Sequence, residues 1–300
     1  MSTNYAQILE RAANAAFVKN LKVYEDPFIS EAVMVVQSQL PSELYPYLGE
    51  PAVPQDVTDG KPFENKELAE YSMTVTNRTF KSAMRVKESE LEDDQTGGLE
   101  IRMKQLVENA INYQKVKLIE QLIGTTTAYD GATLFSARTG LGDNDLTHSG
   151  SPLDPTEVSE AIDESIVAHS SFLGHNGQPF IEAVGFSKFA IVAPFAMRRS
   201  IMTALNAEDI SGTSNVAFNG ISFMPYFSPR LSGAAGTFYL LNISSPLKTL
   251  LLQQRVAPRA TVVGADSEQA LKSDHLSVVT RQRFQTATPI WQTATKMVCS

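Results

Sequence analysis

Three hundred residues, 43% hydrophobic and 19% charged, supply a core for one large domain or two smaller lobes and exclude a wholly disordered chain. A net charge of −8 with scattered basic residues argues against a non-specific nucleic-acid binder. The densest short cluster is Arg281-Gln282-Arg283, which leaves open only a basic face made by the fold or by an assembly. The single cysteine, Cys299, cannot form an internal disulfide; it fits a reducing compartment and reads as an ordinary tail residue. The opening Met-Ser-Thr-Asn-Tyr-Ala-Gln lacks a signal-peptide pattern, and no run approaches the ~20 apolar residues of a membrane span.

Residues 4–24 are helix-compatible, with Ile8, Leu9, Ala12, Ala16 and Val23 as a stripe; Pro27 then interrupts. Phe28 to Gln39 forms another short element. Pro41, Pro46, Pro51 and Pro54 forbid a continuous helix or a central strand, so this stretch is expected to be an extended strap held down by Leu44, Tyr45, Tyr47 and Leu48. Thr58-Asp59-Gly60-Lys61-Pro62 is a strong turn signal. Tyr71, Met73 and Val75, then Phe80, Ser82, Met84 and Val86, alternate with polar residues as half-buried strands do. The chain reverses either at Asp59-Gly60, the preferred reading, or at Asn77-Arg78. In both cases Lys81, Arg85 and Lys87 share one face, and the acidic run Glu88, Glu90, Glu92, Asp93 and Asp94 follows. That run has two readings: a partner for basic residues of another subunit, or charge complementing a helix N-terminus. The bland alternative is two solvated faces.

The long helix is expected from Gly98 to Ile123. Met103, Leu106, Val107, Ala110, Ile111, Tyr113, Leu118, Ile119 and Leu122 face the core, and Gly124 is the stop. Residues 137–155 are polar and read as an exposed loop. A second amphipathic helix begins near Pro155, burying Val158, Ile162 and Ile166, and ends near Leu173-Gly174. Short strands are expected at Ile181–Val184, Ala190–Val192, Gly220–Pro225 and Thr237–Leu241. Pro194 opens a helix through Leu205, Asn206–Asn219 is a polar loop, and Lys248–Gln253 pairs with Ala260–Val263. The stretch from His275 to Val298 is β-rich. Without a regular βαβ rhythm the class is α+β.

No catalytic pattern emerges. His169 and His175 have no metal-ligand spacing around them and read as solvent-facing or capping residues. There is no Gly-x-Ser-x-Gly elbow, no phosphate loop, and Gly140-Leu141-Gly142-Asp143 neither follows a strand nor opens a helix. Asp143-Asn144-Asp145 lacks the rest of a calcium loop. No catalytic, cofactor-binding or metal residue is therefore assigned.

Several of these stretches resemble a known family. Asn77-Arg78-Thr79-Phe80, Met84-Arg85-Val86, Leu91-Glu92-Asp93-Asp94, the long helix, and Tyr129-Asp130-Gly131 with Leu134-Phe135-Ser136 resemble the major head subunit of Mu-like phages and prophages. Tyr47-Leu48-Gly49, Val279-Thr280-Arg281 and Trp291-Gln292-Thr293-Ala294 fit the same pattern. The resemblance covers about residues 45–300 and is densest from 71 to 136. One departure is that the family usually has a His-containing segment just after the Phe of the Tyr-Asp-Gly block, where this chain has Ala137-Arg138-Thr139.

The resemblance implies the Hong Kong phage 97-type capsid fold: an N-terminal arm (1–50), an extended β-loop (51–93), a peripheral domain with a long spine helix (94–185 and 246–300) and an axial domain (186–245). It implies a non-enzymatic major capsid protein that assembles through hexamers and pentamers into an icosahedral shell around double-stranded DNA, in the virion, after assembly in the host cytoplasm. A separate scaffolding protein and a portal are the implied partners, a decoration protein is left open, and no cofactor is implied. The expected intersubunit contacts are Arg78, Phe80, Lys81, Arg85, Lys87, Glu90, Glu92, Asp93 and Asp94. The rival readings are an encapsulin-like nanocompartment shell and a cytosolic enzyme with an unrecognised site.

Overall fold

A computed structural model of the chain describes residues 27–46, 71–87, 98–207, 209–210, 213–214, 218, 220–263 and 275–300. The helix expected over 4–24, the anchors Tyr47 and Leu48, the turn at 58–62 and the acidic run 88–94 lie outside the described residues.

A short helix α1 (Pro27–Ala32) leads directly into strand β1 (Val33–Gln37). Phe28 is buried and its ring stacks on Tyr226 at 4.4 Å, so this segment is built into the core. The proline-flanked strap forms a strand, β2 (Ser42–Pro46), paired antiparallel with β3 (Ser72–Thr76) in a two-stranded ribbon. Prolines are tolerated at the ends of an edge strand, where no ladder donor is lost. Leu44 is not an anchor, because it is 65% exposed. Tyr45 does anchor the strand: its hydroxyl donates to Gln253 Oε1 at 2.8 Å.

Asn77 alone separates β3 from β4 (Arg78–Lys87), and the two strands do not pair. β3 belongs to the ribbon; β4 pairs antiparallel with β14 (His275–Ala287). The reversal considered at Asn77-Arg78 is therefore not made. The chain runs on and changes sheets there. Asn77 is buried, its amide nitrogen donates to Pro41 O at 2.9 Å, and its Nδ2 donates to Ser38 Oγ at 2.9 Å and Leu40 O at 3.0 Å.

The long helix α2 spans Gly98–Ile123, as its periodicity predicts. Ala110, Ile111, Gln114, Leu118, Ile119 and Leu122 are buried at three- and four-residue spacing. The helix closes where Gly124 N donates to Glu120 O. It is about 39 Å long at 1.5 Å per residue.

Residues 137–155 differ from the expected exposed loop. They hold β5 (Ala137–Arg138), β6 (Gly142–Asp143) and β7 (Asp145–His148), and Arg138, Asn144 and His148 are buried. Polar composition predicts exposure only when the polar groups find no partners inside, and here they find them. Helix α3 (Pro155–Ser171) starts at Asp154, whose side chain accepts from Thr156 N, with Pro155 in the first turn. Ile181–Val184 is a helical turn, α4, and not the expected strand. An apolar run of that length carries no periodicity to separate the two.

β8 (Lys188–Ala193), a 3-10 turn (Phe195–Met197) and α5 (Arg198–Asn206) follow, then the short pair β9 (Asp209–Ile210) and β10 (Thr213–Ser214). Next come β11 (Ser222–Phe227) and β12 (Thr237–Asn242). The two strands expected at 248–253 and 260–263 are one strand, β13 (Leu250–Val263), with register shifts between Gln254 and Val256 and between Val256 and Arg259. Bulges of this kind admit Pro258 to the strand interior without a lost ladder bond. The final strand is β15 (Ala294–Cys299).

Two sheets organise these elements. One has the order β1-β13-β14-β4, the other β11-β8-β12-β15-β7. The five-stranded sheet is buried on both faces, which is why β8 and β12 read as unbroken apolar runs. Phe189, Ile191, Phe238 and Leu240 pack under α3 and α5 with Val158, Ile162 and Ile201. Ala190, Val192, Tyr239 and Leu241 face the other way, into a core with Trp291, Leu134, Phe172 and the end of α2. The expected domain limits at 185/186 and 245/246 run through this sheet, since β7 and β15 come from outside them. Two residues lie deeper than their sequence context predicts. His169, read as solvent-facing, is 2% exposed between Phe172 and Phe189, and burial pushes its pKa down to about 4. Cys299, read as a tail residue, is a buried member of β15.

Candidate assembly interface

Among the described residues β4 is an edge strand of the four-stranded sheet, with one row of its backbone groups unpaired. Its inner face lies against α2. Phe80 is half-buried between Tyr113 (5.1 Å between ring centroids) and Phe284 (4.6 Å), and Met84 packs by Ile111 and Val278. Gln282, on the same face of β14, donates to Ala110 O at 3.0 Å and accepts from Gln114 Nε2 at 3.1 Å. A cavity of about 500 Å³ opens between β4 and α2, lined by Lys81, Ser82, Asn109 and Tyr113 among others.

The opposite face of this sheet is divided. Near β1 it is covered by the β2–β3 ribbon, with Val75, Met73 and Tyr45 on Leu251 and Ala287. Farther along it is basic, and no described residue packs over it. Lys81 pairs in register with Arg281, and Arg281 with Arg259, so three cations stand directly opposite one another across three strands. Directly opposed residues have Cβ atoms about 5 Å apart, and like charges there repel. Arg283 stands one step along on the same face, and Arg85 and Lys87 continue it on β4. Lys81, Arg85, Lys87 and Arg259 are exposed. Among the described residues no carboxylate forms an ion pair with Lys81, Arg281 or Arg259. Arg283 Nε and Arg255 Nη1 are buried donors without a partner among the described residues. Glu43, at the rim of the ribbon, is held below the usual carboxylate range, first by the Leu40 amide and the Ser38 hydroxyl, with Arg255 contributing less.

Of the expected contact residues, the structure places Arg78, Lys81, Arg85 and Lys87 in exposed positions on β4, and Phe80 against its own chain. Lys81, Arg85 and Lys87 share a face, as their alternation requires. Glu90, Glu92, Asp93 and Asp94 lie outside the described residues. Sequence reasoning missed Arg259, Arg281 and Arg283 as members of the same surface. The i, i+2 spacing of Arg281 and Arg283 was the only signal, and their partners are supplied by distant strands.

The Tyr129-Asp130-Gly131 block is a second organised feature. Arg138 Nε donates to Asp130 Oδ2 at 2.5 Å, and the same guanidinium donates to Thr133 O at 2.9 Å and Ser136 O at 3.0 Å. It lies over the Trp291 ring at 4.3 Å. Asn144 completes the knot, donating to Leu134 O at 2.9 Å and Ala294 O at 3.0 Å while accepting from Ser136 N at 3.0 Å. Arg138 thus occupies the place where the family pattern usually has a His-containing segment, and it holds the block by filling its carbonyls. None of this geometry resembles a catalytic constellation. It fixes one loop against the two-sided core.

The model of the Mu-like prophage major head subunit gpT family matches residues 6–162, more than half of the chain. No curated protein matches it in sequence. The fold is similar to that of the protein in the procapsid of bacteriophage JBD30 (18% identity, TM-score 0.55, 98% of this chain and 76% of that one). It is similar also to the bacteriophage PhiM1 mature capsid (12% identity, TM-score 0.56, 92% and 88%) and to a virus-like particle from Pyrococcus furiosus (10% identity, TM-score 0.55, 95% and 97%). At these identities the structures bear on the fold alone, and they agree with the α+β capsid architecture. With more than half of the chain matched, this protein belongs to the Mu-like prophage major head subunit gpT family, as a structural component of a phage head.

Proposed function

We propose that this head subunit assembles through hexamers and pentamers into an icosahedral shell enclosing double-stranded DNA, and that it carries no catalytic activity. The observation that carries the contact surface is the unpaired row Lys81–Arg281–Arg259 beside the open edge of β4. A folded monomer gains nothing from opposing three cations, so the arrangement is stabilised when carboxylates from elsewhere meet it. The acidic run Glu90, Glu92, Asp93 and Asp94 of a neighbouring copy supplies them, and a shell made of one chain repeats that contact at every subunit. Residues 1–50 serve as the arm, which lays β1 into the four-stranded sheet, and 51–93 as the extended loop, which lends that sheet its edge strand β4. α2 and the four-stranded sheet form the peripheral lobe, and the axial lobe is the five-stranded sheet, which adds β7, α3 and β15 to the expected 186–245. A separate scaffolding protein and a portal complete the assembly in the host cytoplasm. The net charge of −8 suits a container that must release its DNA.

The fold alone leaves a cargo-holding compartment as the rival reading, and the family match favours the phage head. The test is electron microscopy of the purified protein with and without scaffold. Wild type is expected to form rings, tubes or shells; monomers under every condition would overturn the shell reading. Lys81→Glu/Arg85→Glu is expected to stay folded, with a melting temperature no lower than that of wild type because the repulsion between Lys81 and Arg281 is relieved, and to lose assembly. The added changes Glu92→Lys/Asp93→Lys are expected to restore it. Shells at wild-type yield from the first double variant would remove the basic row from the interface while leaving the shell reading intact.

A further inference from the structure

The β7 edge of the five-stranded sheet carries a group of ligand-type side chains apart from the proposed contact surface on β4. His148 ends β7 and is 7% exposed. Glu157, Glu160 and Glu164 lie on α3 at spacings of three and four residues, which places them on one helical face. Two of them meet the imidazole from opposite sides: Nε2 is 3.1 Å from Glu157 Oε2, and Nδ1 is 3.1 Å from Glu164 Oε2. One donor atom from each of His148, Glu157 and Glu160 falls within 4.8 Å of the others. Ligands held at about 2.0–2.2 Å around one ion stand roughly 3–4 Å apart, so a small closure of the two Glu side chains brings the three onto a common centre.

Gly150 lies against the same two atoms. A Cβ at this position would sit 2.2 Å from Glu157 Oε2 and 2.9 Å from His148 Nε2. A side chain at 150 would therefore press on both ligand atoms, and the Glu157 carboxylate, at the end of a flexible and partly exposed side chain, would have to swing away from His148 to make room.

We propose that His148 Nε2, Glu157 and Glu160 form a binding site for a divalent transition ion of the zinc or manganese type, with Glu164 orienting the imidazole through Nδ1–H. The donor set decides the class. One imidazole nitrogen with two carboxylates suits zinc, manganese or cobalt, whereas calcium and magnesium call for oxygen alone. Two carboxylates neutralise the ion, and three protein ligands leave water in the remaining positions. Glu164 plays the part that a carboxylate usually plays behind a metal-bound histidine. The role is structural: among the described residues β7 pairs only with β15, and the ion ties this outermost strand to α3. The ligands come from a strand and a helix on either side of a loop, which is why no single-helix spacing pattern finds them.

The test uses the whole purified chain, stripped with a chelator and titrated with Co2+ alone and with Zn2+ alone. The expected results are visible d–d bands saturating at one ion per chain and a rise in melting temperature with Zn2+. Glu160→Gln, at an exposed position that leaves the fold intact, is expected to weaken binding at least about tenfold. Gly150→Ala is expected to weaken it with every ligand still present. Cys299→Ser is expected to leave it unchanged; Cys299 is the register partner of His148 and the nearest soft donor on that strand pair. Failure of wild type to bind either ion at one per chain, unchanged affinity in Glu160→Gln, or loss of the bands in Cys299→Ser would each overturn the proposal.

Discussion

Replacing Arg138 with methionine tests how the Tyr-Asp-Gly block is held. The Arg138 side chain is 6% exposed and its partner Asp130 16% exposed, so water replaces little of what is lost. Breaking a buried ion pair from one side costs about 3–5 kcal/mol. Asp130 keeps the Ala132 amide at 3.1 Å, which argues for the lower end. Thr133 O and Ser136 O lose their donors, which adds about 1–3 kcal/mol before the new side chain packs on Trp291. A net loss of about 4 kcal/mol is expected. At an unfolding entropy of about 2.1 cal/mol/K per residue, this lowers the melting temperature of a chain this size by roughly 6 °C. The assay is urea unfolding of the dissociated protein at pH 7 by fluorescence of Trp291, the single tryptophan, which lies under the guanidinium. Asp130→Asn in the Arg138→Met background removes the orphaned charge and is expected to cost less than the sum of the two single changes. A loss below about 1 kcal/mol in Arg138→Met, or strict additivity in the double variant, would show that the block is held by its apolar neighbours instead.

Two further outcomes follow from buried polar groups. His169 has its folded pKa pushed from 6.5 down to about 4, so it binds protons later than in the unfolded chain. Stability is unaffected above the unfolded pKa and falls as pH drops from 6.5 towards 4, by about 1.4 kcal/mol per pH unit and roughly 3 kcal/mol in all; His169→Gln is expected to flatten this slope in urea titrations at pH 7, 5.5 and 4.5, and equal slopes would contradict it. Asn77→Ala removes two donors from the Ser38–Leu40 segment and is expected to cost about 1–3 kcal/mol. Hydrogen exchange should show lost protection in the β2–β3 ribbon with β4 unchanged, and a uniform loss across both would refute the sheet-switching role of Asn77.

What could be read from the sequence depended on whether the determining contacts were local. α2 was legible to the residue because periodicity, a terminal glycine and length all act within one segment. The alternation of β4 likewise gave the shared face of Lys81, Arg85 and Lys87. Arg281 and Arg259 joined that face only through strand pairing, and the bulges in β13 set the register that aligns Arg259 with them. No window of sequence contains that information. The stretch 137–155 was misread because its composition is that of a loop, while Arg138 and Asn144 bury their polarity in carbonyls that only the folded loop presents. His169 failed for a related reason: a lone histidine on an amphipathic helix gives no sign of which neighbours will enclose it.

The placement of β15 has a kinetic consequence. It lies between β12 and β7 and is the strand partner of both, and the pairing of Lys296 with Asp145 spans 151 residues. A nascent chain that has not yet delivered residues 294–299 holds β7 without a partner strand and β12 with one side open. The five-stranded sheet therefore closes only after these residues have left the ribosome. Contacts of such long range make folding slow. Incomplete chains are thereby kept from presenting a finished surface to their neighbours.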